Sequence, residues 1–138
     1  MSRVAHLFRA PQKRLPMESL ESVSLVADLG LEGCAHGRQG SKRQVLLVDK
    51  ETLDAMGLPP GIIRENITTE GINVNGLGPG QRLQIGPALL EVTGVCTPCD
   101  QLEKIRPGLR REIYGRRGML CRVLAGGDIR VGDAIEKL

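Results

Sequence analysis

Apolar residues in this sequence come in short alternating runs, and glycine or proline cuts each run off within a few residues. Alternation puts every second side chain on one face of a strand, whereas a long amphipathic helix needs a 3.6-residue period held over about ten residues or more. No stretch holds it. Residues 3–9, RVAHLFR, read as a first strand with Val4, His6 and Phe8 on one face, which makes His6 a partly buried histidine. Pro11 and Pro16 bracket a basic loop, and residues 19–28 alternate again through Leu20, Val23 and Leu25. Residues 43–48, RQVLLV, are a continuous apolar strand; Asp49 then caps a short helix over 50–56, which Gly57 stops. Further β-rich stretches cover 61–70, 82–85, 89–95, 119–124 and 129–138, with brief helical pieces over 98–105 and from 107 or 108 to 114. Many short strands with so little helix predict a mainly β fold, a barrel or sandwich, in one domain over 1–138.

A chain of 138 residues buries roughly two-thirds of its unfolded surface, so it needs no covalent staple. The N-terminus has basic residues but no apolar signal region, and no apolar run is long enough to cross a bilayer. The expected setting is cytoplasmic and away from the membrane. There, the four cysteines read as metal, redox or core thiols before structural disulfides.

Two of those cysteines lie in residues 94–103, GVCTPCDQLE, where a strand stops and a helix start signal begins. With Thr97 as N-cap and Pro98 at the first helical position, Cys99 falls in the first turn, where backbone N–H groups and the helix dipole favour a thiolate. Cys99 is therefore the candidate for chemistry. By strand parity Cys96 shares the face of Leu90 and Val92, so its thiol belongs to the core. Cys121 shares a face with Met119 and Val123 and reads as a core thiol too.

The net charge is only +3, yet residues 104–122 hold seven bases against the single acid Glu112. Such a cluster suits an anionic small molecule, a phosphate-bearing cofactor for example, or an acidic partner protein; a solvated surface has the same composition. Nucleic acid is not expected, because Phe8 and Tyr114 are too few for base stacking. The glycine-rich loop over 30–40 carries Glu32, Cys34 and His36 at i, i+2 and i+4. Extended, it would project all three to one side as a metal or anion cluster; the alternative is a solvated loop. Arg64, Glu65 and Asn66 are polar where a core strand wants apolar residues, which marks an exposed face or groups aimed into a pocket.

Taken in order, GLEG-x-x-H at 30–36, RQVLLVD, PGIIRENITTEGI, GPGQRLQIG, the T-PC at 97–99 and the closing GGDIRVGD resemble the MOSC domain family, named for the C-terminal domain of molybdenum cofactor sulfurase. The resemblance implies a closed β-barrel with a few short helices and a role in molybdenum cofactor or sulfur chemistry. It places the family cysteine at Cys99, as persulfide carrier or as thiolate ligand of a molybdenum-pterin. It implies that His36, Glu65 and Asn66 line the pocket and that Arg110, Arg111, Arg116 and Arg117 hold the pterin phosphate or a donor protein. A cysteine desulfurase, of the pyridoxal-phosphate type that often accompanies this domain, or molybdenum cofactor enzymes are the implied partners. One position departs: the family commonly has an aspartate two residues before the histidine, and this chain has Cys34, a soft ligand that joins Cys99 as a candidate for metal.

Three other readings compete. Cys34, His36, Cys96 and Cys99 could complete a structural zinc site. The CxxC could serve thiol-disulfide exchange, although the βαβ surroundings of such motifs are missing. The domain could also be a non-catalytic interaction module of the cofactor pathway. Whether the chain is an enzyme, for instance in sulfur transfer, stays open at this point.

Overall fold

The computed structural model describes residues 2–13 and 15–138, so Arg14 of the basic loop lies outside the described residues. Among the described residues eleven strands are present: β1 (Arg3–Arg9), β2 (Glu18–Leu20), β3 (Ser22–Val26), β4 (Gly30–Leu31), β5 (Val45–Asp49), β6 (Ile67–Glu70), β7 (Arg82–Ile85), β8 (Ala88–Val95), β9 (Met119–Ala125), β10 (Gly127–Arg130) and β11 (Ile135–Lys137). Two short helices, α1 (Lys50–Ala55) and α2 (Leu109–Glu112), and two 3-10 turns, Val74–Gly76 and Asp100–Lys104, are the other elements among the described residues. The fold is mainly β. Among the described residues no helix is long and apolar enough to cross a membrane.

Eight strands form one sheet in the order β11-β7-β8-β9-β5-β6-β1-β2, and β10-β3-β4 form a second. Pairing is antiparallel except between β5 and β6, which α1 joins as a crossover. That helix begins where expected: the Asp49 carboxylate accepts from the Thr52 backbone N–H at 3.2 Å and from its hydroxyl. The run over 19–28 is not one strand. It breaks at Glu21, so β2 adds to the large sheet while β3 turns into the small one.

The expected closed barrel does not form. The large sheet is a curled half-barrel with β2 and β11 at its edges. Among the described residues, β1 meets the segment leading into β11 where Val4 N–H donates to Asp133 O at 2.9 Å, Gly132 N–H to Val4 O at 2.8 Å and Ile135 N–H to Ser2 O at 2.9 Å. The ladder goes no further because β1 pairs with β2 through Leu7, Phe8 and Arg9, and β11 with β7.

β5 is buried along its whole length, and its alternate residues feed two cores. Val45 and Leu47 join the cluster between the two sheets, with Leu25, Leu31, Leu90 and Ile129. Leu46 and Val48 join a second cluster with Leu53 of α1, Leu102 of the 3-10 turn and Leu109 of α2. A strand packed on both faces reads as an unbroken apolar run, which is why RQVLLV shows no alternation. Each fully buried leucine contributes about 1.5–3 kcal/mol. The second cluster therefore ties the helical segments, and the cysteines before them, to the sheet.

Candidate functional site

Beside β5 and the second core opens a cleft of about 1030 Å³. It is walled by Lys13 and residues 15–17, the glycine-rich loop with β5, the 59–66 turn, and the segment from Cys96 to Ile105, with Phe8, Arg117 and Leu120 completing the lining. Lys13, Arg38, Arg43, Arg64, Lys104 and Arg117 line it, and among the described lining residues there is no carboxylate. Six cations without a counter-charge raise the local concentration of anions and favour a multiply charged ligand.

Cys99 and Cys96 both line this cleft. Cys99 is exposed, but it is not inside a helical turn as expected. It precedes the 3-10 turn with an extended backbone, φ −125° and ψ 172°, and its side chain makes no cap hydrogen bond. Thr97 and Pro98 lie ahead of the turn, so helix start chemistry begins two residues later than the Thr-Pro signal suggests. Cys96 is buried, as expected, but in the second cluster rather than with Leu90 and Val92. The register of β8 against β9 shifts between Val92 and Gly94, and one extra residue there turns every later side chain to the other face.

Arg117 is the most informative of the lining cations. It is 9% exposed, and its Nη2 donates to the Ile63 carbonyl at 2.7 Å. Its Nε and Nη1 are buried without a partner. Buried polar groups are almost always satisfied, so two orphan donors of one guanidinium mark a place where an oxyanion fits.

The glycine-rich loop is not extended. Turns bonded from Cys34 N–H to Leu31 O and from Gly37 N–H to Cys34 O, each 3.1 Å, send its three candidates in different directions. Glu32 is exposed and lines a separate small pocket with Arg9 and Asp128. His36 lines the cleft, its Nε2 accepting from Arg64 Nη2 at 3.3 Å. Arg64 reaches there from a left-handed backbone, φ 66°, and its Nη1 donates to Leu15 O at 2.5 Å. A non-glycine residue at positive φ stores strain that the surroundings must hold, and such residues gather at functional sites.

Cys34 points inward, and its sulfur accepts from Ala10 N–H at 3.4 Å and Asn66 Nδ2 at 3.5 Å. Partial burial is the largest single influence on the thiol and opposes ionisation. Hydrogen bonds from the His36 side chain, Ala10 N–H and His36 N–H outweigh it and bring the thiol from 9.0 down to about 7. Cys121, by contrast, is buried among apolar neighbours, which push its thiol far up.

Of the pocket residues expected from the sequence, His36, Asn66, Arg117 and Cys99 line the cleft. Asn66 does so from a buried junction, accepting from Leu46 N–H at 3.0 Å and donating to Phe8 O at 3.3 Å. Glu65 does not reach it; its carboxylate turns back to accept from Gly61 N–H at 2.8 Å and the Thr68 hydroxyl at 3.0 Å. Arg110, Arg111 and Arg116 are exposed outside the lining, and Arg110 pairs with Asp100. Cys34 is not among the lining residues, and among the described residues no three His, Cys, Asp or Glu side chains gather as metal ligands. The four-ligand zinc set is therefore not assembled. Sequence reasoning missed Lys13, Arg38, Arg43 and Lys104 as cleft residues; the only signal was their charge, spread over segments that meet only in the fold.

A family model described as MOSC domain matches residues 35–136. No curated protein matches the sequence. Among solved structures, the chain is similar to the YuaD protein from Bacillus subtilis at 22% identity and a TM-score of 0.79, covering 98% of this chain and 94% of that one. It is similar to YiiM from Geobacillus stearothermophilus at 19% identity and a TM-score of 0.79, covering 100% and 75%. It is also similar to YiiM from Escherichia coli at 20% identity and a TM-score of 0.73, covering 99% and 68%. At such identities the likeness shows the shared fold.

Proposed function

Because this chain belongs to the MOSC domain family, we propose that its cleft holds the molybdenum-pterin cofactor, with Cys99 as the thiolate that meets the metal. Membership supports a molybdenum-cofactor-related role in general terms; the residues carry the finer reading. The observation behind it is the orphan guanidinium of Arg117, buried in a cation-lined cleft that Cys99 also lines. The donor set fits the group. A soft thiolate suits molybdenum, and unpaired guanidinium donors suit a phosphate. In this reading Arg117 anchors the anionic end and Lys13, Arg38, Arg43 and Lys104 draw it in from solvent. Arg64, released from His36, supplies a further donor, and His36 then offers a free ring nitrogen as proton acceptor. When bound, the cofactor would supply the electron transfer that none of these side chains can perform.

The exposure of Cys99 favours a second reading, sulfur carriage. The Cys99 thiolate attacks the outer sulfur of a donor persulfide, its S–S bond breaks, and the donor leaves as thiolate while Cys99 becomes a persulfide. The donor would be a cysteine desulfurase, a separate protein.

The test is co-purification from cells that make the cofactor, with molybdenum counted by plasma mass spectrometry and pterin by fluorescence after oxidation. Both should be present in the wild type and depleted in Cys99→Ala and in Arg117→Met. A wild-type protein that holds neither, even after incubation with cofactor released from a molybdenum enzyme, would overturn the reading.

A further inference from the structure

The cleft has two cationic ends. One carries the buried, unpartnered donors of Arg117, and Cys96 sits there too, its N–H donating to Gly118 O at 3.0 Å. The other is formed by residues 38–43, RQGSKR, which contribute Arg38, Ser41 and Arg43 to the lining. Gly118, next to Arg117, packs on Leu47 and Val48, whereas Arg43 comes before β5 begins at Val45. At about 3.3 Å per residue, this sets the two ends on the order of 10 Å apart along β5. Leu46 and Leu120, paired in register across β5 and β9, line the cleft between them.

The 38–43 backbone is anchored from beneath. Gln44, 1% exposed, donates through Nε2 to Arg38 O at 3.3 Å and to Asp28 Oδ1 at 3.2 Å, and its Oε1 accepts from Val123 N–H at 3.0 Å. Lys42 O accepts from the Thr93 hydroxyl. Ser41 Oγ accepts from Arg43 N–H at 2.9 Å, which leaves the hydroxyl proton free to donate. Among the described residues neither the Arg38 nor the Arg43 guanidinium pairs with a carboxylate, unlike those of Arg9, Arg106, Arg110 and Arg122. Two unpaired guanidinium groups and a hydroxyl therefore stand on a fixed backbone at the end of the cleft away from Arg117.

We infer that this end is a second anion subsite, where Arg38, Arg43 and the Ser41 hydroxyl hold a phosphate monoester whose apolar body lies over Leu46 and Leu120. Guanidinium forks match the several oxygens of a phosphate. Both arginines are exposed, so water screens them and a bare inorganic anion gains little there. The apolar floor supplies the rest of the affinity. A single phosphate does not reach from this subsite to Arg117. The inference rests on the cofactor reading for what fills the Arg117 end; the molecule in the second subsite is then the substrate, and Arg38 and Arg43 select phosphorylated substrates over their neutral analogues.

The experiment titrates phenyl phosphate into the nitrogen-15-labelled full-length protein and follows its backbone amides by NMR. Those of Gly40, Ser41 and Leu120 should move with one dissociation constant, and phenol and inorganic phosphate should each bind there at least about tenfold more weakly. Arg38→Met combined with Arg43→Met should weaken phenyl phosphate at these amides by about tenfold or more, while Arg117→Met leaves it unchanged. Unmoved amides in the wild type, or an equal affinity in the double variant, would sink the inference. An equal loss in Arg117→Met would sink it too, by making the two ends one site. Molybdenum and pterin content of the double variant should equal that of the wild type. A loss there would assign Arg38 and Arg43 to the cofactor, which removes the substrate subsite and leaves the cofactor reading in place. A wild type without cofactor that still binds phenyl phosphate at Ser41 removes the cofactor reading and upholds the subsite.

Discussion

Arg117 donates through Nη2 to the carbonyl oxygen of Ile63 at 2.7 Å, and that one bond spans 54 residues to pin a guanidinium at the cleft. It also consumes only one side of the group, leaving Nε and Nη1 buried with no partner. An orphan buried donor costs about 1–3 kcal/mol, and more when charged. Such a cost persists where a ligand repays it.

Arg117→Met tests this by sign. Without ligand the variant should unfold at the same temperature as the wild type or slightly higher, because the orphan donors are gone. With pyrophosphate at about a hundred times its dissociation constant, linkage adds about 2.7 kcal/mol to the wild type, a rise of several degrees, and the variant should show none. Thermal unfolding followed by circular dichroism decides; a shift retained in the variant places the anion elsewhere.

Asn66 joins β5, β1 and the glycine-rich loop through one side chain, so Asn66→Ala strands Leu46 N–H and Phe8 O at once. At about 1–3 kcal/mol for each of the two unsatisfied buried groups, the loss should be about 2–6 kcal/mol. Urea unfolding at constant slope measures it. A loss below about 1 kcal/mol would mean that the junction relaxes to find other partners.

The sheet was legible where a residue's neighbours in sequence are also its neighbours in space. The apolar run 43–48 and the Asp49 cap appear as expected because strand burial and capping are local. Cys96 was legible as buried but not as to which core, since the bulge between Val92 and Gly94 leaves no mark in an alternating run. The basic cluster after Cys99 misled for a related reason. Its charges lie close in sequence, yet only Lys104 and Arg117 of it line the cleft, and the other cations there come from the first 64 residues. Cys34 shows the limit most plainly: its donors belong to Ala10 and Asn66, and no spacing rule connects three such positions.

The thiol of Cys34, lowered from 9.0 to about 7, predicts a pH dependence of definite sign. Alkylation of Cys34 by iodoacetamide should rise with thiolate fraction through a midpoint near pH 7, and His36→Ala should move that midpoint up. A depressed acid group stabilises the fold above its unfolded value and loses that contribution as pH falls through the folded one. The stability advantage of wild type over Cys34→Ser should therefore grow between about pH 7 and 9, in an unfolding series at fixed ionic strength. A midpoint near 9 for Cys34 in the folded protein would show that these hydrogen bonds do not lower the thiol.

Gly118 sets the approach of β9 to β5 just beyond Arg117, and it allows the sharpest structural test. Its φ is 109°, and a Cβ there would run into the Leu47 carbonyl oxygen and lie 2.8 Å from Val48 Cγ2. Its own carbonyl accepts from Cys96 N–H at 3.0 Å, so the strand that delivers the cysteines is anchored at the same residue. Gly118→Ala combines backbone strain with a clash against a strand packed on both faces, and should cost about 3 kcal/mol or more. Gly115 is the control: its φ is 82°, but nothing lies within 4 Å of the added methyl, so Gly115→Ala should cost only about 1–2 kcal/mol. Urea midpoints of the two variants measured together give the comparison. Equal losses would show that β9 and β5 move apart readily, and the Arg117 guanidinium, one residue away, would then not be held rigidly enough to leave its donors waiting for an anion.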